Sequence, residues 1–324
     1  MNDANDLLLR FKQRLTVLNR SAATIKAYVN ILKVFLSALG ETDMKRVTRS
    51  MVEDYVAGLS YKRYRTGSIC VIVRSIKRFF EFLERANVIF INPAEFIREP
   101  KKETGLIKDV LTPQEARTIL DQPNLGTLKG IRDRTILEVF YSTGIRLNEL
   151  CSLTIYDADI QGQTLRINQG KGKKDRVVPM GKHAVRFLRE YITKVRPHFT
   201  GKRQKSGARS QKSESTNQKP GTKNQKPGCK PELNRSLFVN RYGKQISIQA
   251  VEKMVKAYAR ATSIKKQVTP HTFRHSFATS LVRNGADIVA VQKMLGHACL
   301  NTTQVYIRAL GLDLKRVHQK THPR

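Results

Sequence analysis

Acidic residues are scarce in this 324-residue chain, where 26 Asp and Glu stand against 60 Lys and Arg for a formal charge of +34. Such a surplus concentrates like charge at an energetic cost, so a polyanion or an anionic surface is expected as partner. Cysteine is scarce too. Cys70, Cys151, Cys229 and Cys299 lie far apart and form no CxxC pair, which argues against a zinc site and against a disulfide framework. Free thiols in a reducing cytoplasm are the expectation. No apolar run reads as approaching the ~18 residues of a membrane span. Met1 to Arg10 carries acids where a secretory signal would carry a basic region. A soluble nucleic-acid partner therefore leads over a membrane surface. What is present is ordinary for folded protein: 40% hydrophobic and 27% charged residues. The length suits two domains at about 100–200 residues each.

The first part reads as a four-helix bundle, residues 1–91. Leu7 to Leu18 is one amphipathic segment. Ser21 is a good N-cap, and Ile25, Tyr28, Val29, Leu32, Phe35, Leu36 and Leu39 follow at helical spacing until Gly40. Thr48 opens a third helix with Met51, Val52, Tyr55, Val56 and Leu59 on one face, and Thr66 a fourth with Ile69, Val73, Ile76, Phe79, Phe80 and Leu83. Residues 92–109 lack periodicity and contain Pro100-Lys101-Lys102-Glu103-Thr104-Gly105, so they are expected to be a linker. A second domain, 110–324, opens on the capping box Thr112-Pro113-Gln114-Glu115. Helices are predicted over Arg132–Ser142, Lys182–Val195, Ile248–Thr262, Pro270–Arg283 and Asp287–Leu295, and short strands over Thr164–Asn168 and Arg176–Pro179. The fold class is mainly α with a small antiparallel β-sheet.

Thr200 to Glu232 belongs to neither core. From the hydrophobic set it holds only Ala208 and Cys229, and it repeats Asn-Gln-Lys-Pro-Gly at 217–221 and 224–228. It cannot bury enough apolar surface to offset its ordering entropy, so a disordered insertion is expected. Nine basic residues against Glu214 and Glu232 give it +7 and leave +27 for the rest. A DNA tether and a tolerated surface loop fit it equally.

Thr269-Pro270-His271-Thr272-Phe273-Arg274-His275 places His271 and Arg274 three apart near a helix N-terminus, where free N–H groups and the helix dipole favour an anion. His271 and His275 are four apart, as in zinc-binding HExxH helices, but the Glu is missing and Arg274 would repel a metal. Thr143-Gly144-Ile145-Arg146-Leu147-Asn148-Glu149-Leu150 sets an Arg just past a helix-ending glycine. Gly170-Lys171-Gly172 puts a Lys in the turn between the two strands. Leu295-Gly296-His297 sets a His past a helix end, and Tyr306 lies nine residues beyond. Separately, Tyr61-Lys62-Arg63-Tyr64-Arg65-Thr66 interleaves bases with aromatics. It leads into a helix bearing Arg74, Lys77 and Arg78 opposite its apolar face, a stripe suited to a DNA groove.

Taken in order, Arg146, Lys171, His271, Arg274, His297 and Tyr306 resemble the signature of the tyrosine recombinase (phage integrase) family, within it the bacterial Xer-type members. The spacings from His271 to Arg274, His297 and Tyr306 and the closing Val317 to Arg324 carry the likeness across both domains. The resemblance implies an N-terminal core-binding domain and a catalytic domain interrupted by the insertion at 200–232. It implies a site-specific recombinase that cuts double-stranded DNA through a 3′-phosphotyrosyl intermediate with Tyr306 as nucleophile, needing no cofactor, metal or ATP.

In that chemistry Arg146 and Arg274 would clamp the non-bridging phosphate oxygens with permanently charged forks. Lys171, with Lys173 and Lys174 as adjacent alternatives, would be the general acid. His271 would assist as base or phosphate donor, and His297 would hydrogen-bond the phosphate. Glu149 would orient Arg146 or a neighbouring His, or be a surface acid. Strand exchange implies a tetramer on DNA, of one chain or with a paralogous recombinase, in the cytoplasm on the nucleoid. Gly311 to Gln319 would dock on a neighbouring subunit or on its own domain. The alternatives are a type IB topoisomerase-like nicking-closing enzyme and a non-catalytic DNA-binding protein.

Overall fold

Among the described residues seven helices begin alike: Ser21, Thr48, Thr112, Thr127, Ser247, Thr269 and Asp287 each accept a hydrogen bond from the backbone N–H three residues on. Each such cap satisfies one of the four donors a helix start leaves open and contributes about 1 kcal/mol. The computed structural model describes residues 2–101, 110–168, 175–207 and 235–296. Lys171, Lys173, Lys174, His297, Tyr306, Cys229, Cys299, most of the 200–232 segment and Gly311 to Gln319 lie outside the described residues. The chain divides into two compact units, Met1–Thr104 and Gly105–Arg324.

In the first unit α1 (Asn2–Val17), α2 (Ala22–Leu39), α3 (Arg49–Tyr61) and α4 (Thr66–Arg85) pack as a bundle. Every third or fourth residue of α4 points inward, and its Phe79 and Phe80 are fully buried, Phe79 edge-on to Phe11 and Phe80 to Phe35. Such T-shaped pairs add about 0.5–1.5 kcal/mol beyond the area they bury. Two expectations change here. The α2 helix, with a mean hydropathy of 1.4, is long and apolar enough by length and composition to cross a membrane. Its Ile25, Leu32, Phe35 and Leu36 are instead buried in this core, which Tyr28, Val29 and Leu39 also line. Residues 92–101, read as linker, fold back on the bundle: Ala94 and Ile97 are buried in its core, and the Pro100 carbonyl accepts from the Cys70 thiol at 3.4 Å. Two apolar residues among polar neighbours are enough to anchor a segment that has no period.

The second unit contains α5 (Pro113–Leu120), α6 (Leu128–Thr143), α7 (Leu147–Ser152), β1 (Ala158–Asp159), β2 (Thr164–Ile167), β3 (Arg176–Pro179), α8 (Lys182–Glu190), α9 (Arg196–Gly207), α10 (Ile248–Arg260), α11 (Pro270–Arg283) and α12 (Ile288–Leu295). A π-helical turn, Tyr191–Val195, joins α8 to α9. The α9 helix extends through Gly207, so residues 200–207 are helical backbone rather than the start of a disordered insertion. Central to the unit is α6, buried nearly all round against α5, α8, α11 and β3. Its buried polar groups are paired: Asp133 accepts from Arg132 at 2.7 Å and from the Tyr258 hydroxyl at 3.0 Å. The sheet runs β1-β2-β3, antiparallel throughout, with Ile167 opposite Arg176. Phe140 of α6 stacks on Phe273 of α11 at 6.5 Å, fixing the helix that carries the His271–Arg274 motif.

Candidate active site and nucleic-acid face

Gly144 ends α6 in the left-handed region at φ +59°, and a Cβ there would fall 2.4 Å from the Phe277 ring. Only glycine fits, and the sharp exit turns Arg146 into the N-cap position of α7. Three residues on, Glu149 accepts from the Arg146 backbone N–H at 2.8 Å and from its Nη1 at 2.8 Å. On α11, Thr269 and Thr272 cap one another reciprocally and Pro270 sits at the first helical position, so Arg274 falls one turn into the helix, 4% exposed. Its Nη1 donates to the Gly144 carbonyl at 2.7 Å and its Nη2 to the Leu295 carbonyl at 2.6 Å.

The two arginines therefore meet at the end of α12. Gly296 closes that helix at φ +63°. The last carbonyls of a helix lack intrahelical partners and carry the negative end of its dipole. Here three successive ones are taken by guanidiniums: Met294 by Arg176 Nε at 2.8 Å, Leu295 by Arg274, and Gly296 by Arg146 Nη2 at 2.9 Å. Arg176 also forks onto Glu149, Nη1 to Oε1 at 3.0 Å and Nη2 to Oε2 at 2.8 Å. Burial would raise the Glu149 carboxyl, but hydrogen bonds from Arg176 and then from the Arg146 backbone outweigh it and bring the pKa to about 2. Its being a surface acid is thereby corrected: Glu149 is 7% exposed.

His271 lies outside this clasp on the exposed side of α11, its ring 6.5 Å from that of half-buried His275. Loss of hydration, then the charges of Arg274 and Arg146, push His271 below its ordinary value; Glu252 opposes them. His275 is lowered by burial, then by His271 and Arg274. Among the described residues no group of three or more His, Cys, Asp or Glu side chains gathers as a metal site would require.

Sequence reading paired the site's arginines but missed Arg176. The signal was available: alternation along β3 puts Arg176 on the same side as buried Val178, so a charge stands at an inward position.

On the first unit Arg63, at φ +56°, and Arg65 are exposed between α3 and α4, beside Tyr61 and Tyr64. The expected groove-facing stripe is partly occupied. Arg74 forks onto Glu99, Lys77 donates to the Ile97 carbonyl at 3.2 Å, and the Arg78 guanidinium lies 5.9 Å from the centre of the Tyr28 ring. The segment that folded back over α4 supplies two of these partners. The same three cations, with Arg14, Arg20 and Arg85, line a groove of about 810 Å³ whose acids are Glu81 and Glu99.

Known proteins resemble this chain along both units. Residues 109–311 match the phage integrase family, and residues 8–87 match the phage integrase N-terminal SAM-like domain. A tyrosine recombinase XerD from Listeria monocytogenes is 34% identical over 99% of both chains. Another from Staphylococcus saprophyticus is 33% identical over 94% of both. Among solved structures, a lambda integrase dimer bound to a COC′ core site matches with a TM-score of 0.70 at 15% identity, over 95% of this chain and 96% of that one. The XerH site-specific recombinase bound to palindromic difH substrate matches with a TM-score of 0.69 at 20% identity, over 94% and 81%. At these identities the structures speak for the fold alone.

Proposed function

This chain belongs to the phage integrase family, the tyrosine recombinases, and from that premise we propose how its residues divide the work. It is a site-specific recombinase, a strand-transferase whose target is DNA. Neither a type IB nicking-closing activity nor non-catalytic binding is favoured by relatives of near full length.

The observation that supports the division of roles is the convergence of Arg146 and Arg274 on the end of α12, both guanidiniums within one clasp. Their forks bind the two non-bridging oxygens of the scissile phosphate and stabilise charge that grows toward the transition state. The Tyr306 oxygen attacks phosphorus as the bond to the 5′ oxygen breaks. His271, neutral because its pKa is lowered, accepts the tyrosine proton, and Lys171 gives one to the departing oxygen. His297 donates to the phosphate. The ester formed conserves the bond energy, and a 5′-hydroxyl from another strand reverses the step without metal or ATP.

Strand exchange needs two duplexes, each cut in both strands, hence a tetramer on DNA, with itself or a paralogue, in the cytoplasm on the nucleoid. Two units, Met1–Thr104 and Gly105–Arg324, fit this use. Arg63, Arg65 and the cations of the α4 groove hold duplex phosphates.

The test starts by selecting bound duplexes from a randomised pool, then nicking the selected sequence so that the cut fragment diffuses away. A covalent protein–DNA adduct should accumulate on a denaturing gel and vanish in Tyr306→Phe. An adduct that survives that substitution would refute the assignment of the nucleophile.

A further inference from the structure

Of the charged side chains at the end of α12, Arg176 has no part in the reaction above, yet it is fully engaged. Its side chain is 10% exposed, and all three guanidinium nitrogens donate, two to Glu149 and one to the Met294 carbonyl. Glu149 in turn receives four hydrogen bonds, two from Arg146 and two from Arg176. Two guanidiniums thus share one buried carboxylate.

That ratio decides what Arg146 offers to an anion. With Arg176 in place, the carboxylate is neutralised by a residue outside the reaction, and one positive charge remains uncompensated. Without it, Arg146 would be the sole counterion of a buried carboxylate, and the pair would present no net charge to a phosphate. We propose that Arg176 is a positioning residue for strand cleavage: it takes up the charge of Glu149 so that the charge of Arg146 stays available to the scissile phosphate. It does this from a position two residues after the segment holding Lys171, while gripping a carbonyl three residues before His297. The local backbone makes room for it, since a Cβ on Gly296 would lie 2.9 Å from Arg176 Nη1. The hydrogen bond from Arg176 is the leading cause that lowers Glu149 against burial.

The inference rests on the roles given to Arg146 and Tyr306, and the experiment separates the two. Single-turnover adduct formation on the selected nicked duplex is measured for wild type, Arg176→Ala, Arg176→Lys, Glu149→Gln and the double variant Arg176→Ala/Glu149→Gln, with DNA affinity and thermal melting beside it. Arg176→Ala should form adduct about 10²-fold more slowly with affinity little changed. Arg176→Lys, which keeps the charge and loses the fork, should fall between. Once Glu149 is neutral, Arg176 has nothing to neutralise, so the double variant should cleave within about threefold of Glu149→Gln and faster than Arg176→Ala. A wild-type rate for Arg176→Ala overturns the proposal. So does a double variant slower than Glu149→Gln by the full effect, and that comparison stands even where Arg176→Ala does not fold. Absence of a Tyr306-dependent adduct in wild type overturns the site assignment instead.

Discussion

His271 loses hydration beside two permanent cations, Arg274 and Arg146, and these together decide its protonation. Its pKa lies below the ordinary 6.5. Such a depressed base is neutral near pH 7 and gains its proton only on acidification. Between the folded pKa and 6.5 the unfolded chain binds more protons, so acid also costs stability in that window. The single-turnover rate of adduct formation should therefore be flat near neutrality and fall along an acid limb lying below pH 6.5. His275 titrates alongside and Glu252 pulls the other way, so the limb belongs to the group rather than to one ring. In His271→Gln the limb should shrink to what His275 contributes and the plateau drop by about 10²-fold or more. The types and spacing of Arg146, His271 and Arg274 were legible because the chemistry restricts them. Arg176 was harder to read, because alternation along β3 marks it as an inward charge but leaves its partner unnamed until Glu149 is seen across from it.

Two helix ends carry the site, and both end on glycine. Gly144 and Gly296 lie at φ +59° and +63°, so alanine at either should cost about 1–2 kcal/mol in backbone strain. The neighbours then separate them. At Gly144 the added methyl meets the Phe277 ring at 2.4 Å, which should cost a further ~1–3 kcal/mol and appear as a clear drop in melting temperature. At Gly296 it meets the guanidinium of Arg176 at 2.9 Å, which can give way only by loosening its hold on Glu149 and Met294, so Gly296→Ala should lose cleavage rate out of proportion to stability. Melting and single-turnover cleavage on the same two proteins check the contrast; equal stability losses would contradict it. At this scale the sequence was easy to read where capping chemistry is local, as at Ser21, Thr48, Thr112 and Thr269. It was hard to read where the decision is tertiary. Residues 92–101 are ordered by burying Ala94 and Ile97, and the two-residue β1 exists only as a partner to β2.

For the whole molecule the surplus of +34 governs encounter. Affinity built on roughly six to ten phosphate contacts should fall about 10³–10⁵-fold between about 50 and 200 mM salt, measured by titrating labelled duplex. A weak salt dependence would mean that the basic grooves are not the binding face. The division into two units was visible as a break in periodicity, though its first unit reaches past residue 91 because packing, not pattern, sets the limit. The clasp at the end of α12 has a thermodynamic side as well. Three guanidiniums meet at the end of α12, two of them on one carboxylate, and are held there against their mutual repulsion, so this unit is less stable alone than with an anion bound. Any anion that enters the clasp adds its binding free energy to the stability of the fold, and a scissile phosphate held as proposed for Arg146 and Arg274 would become part of what keeps the enzyme folded.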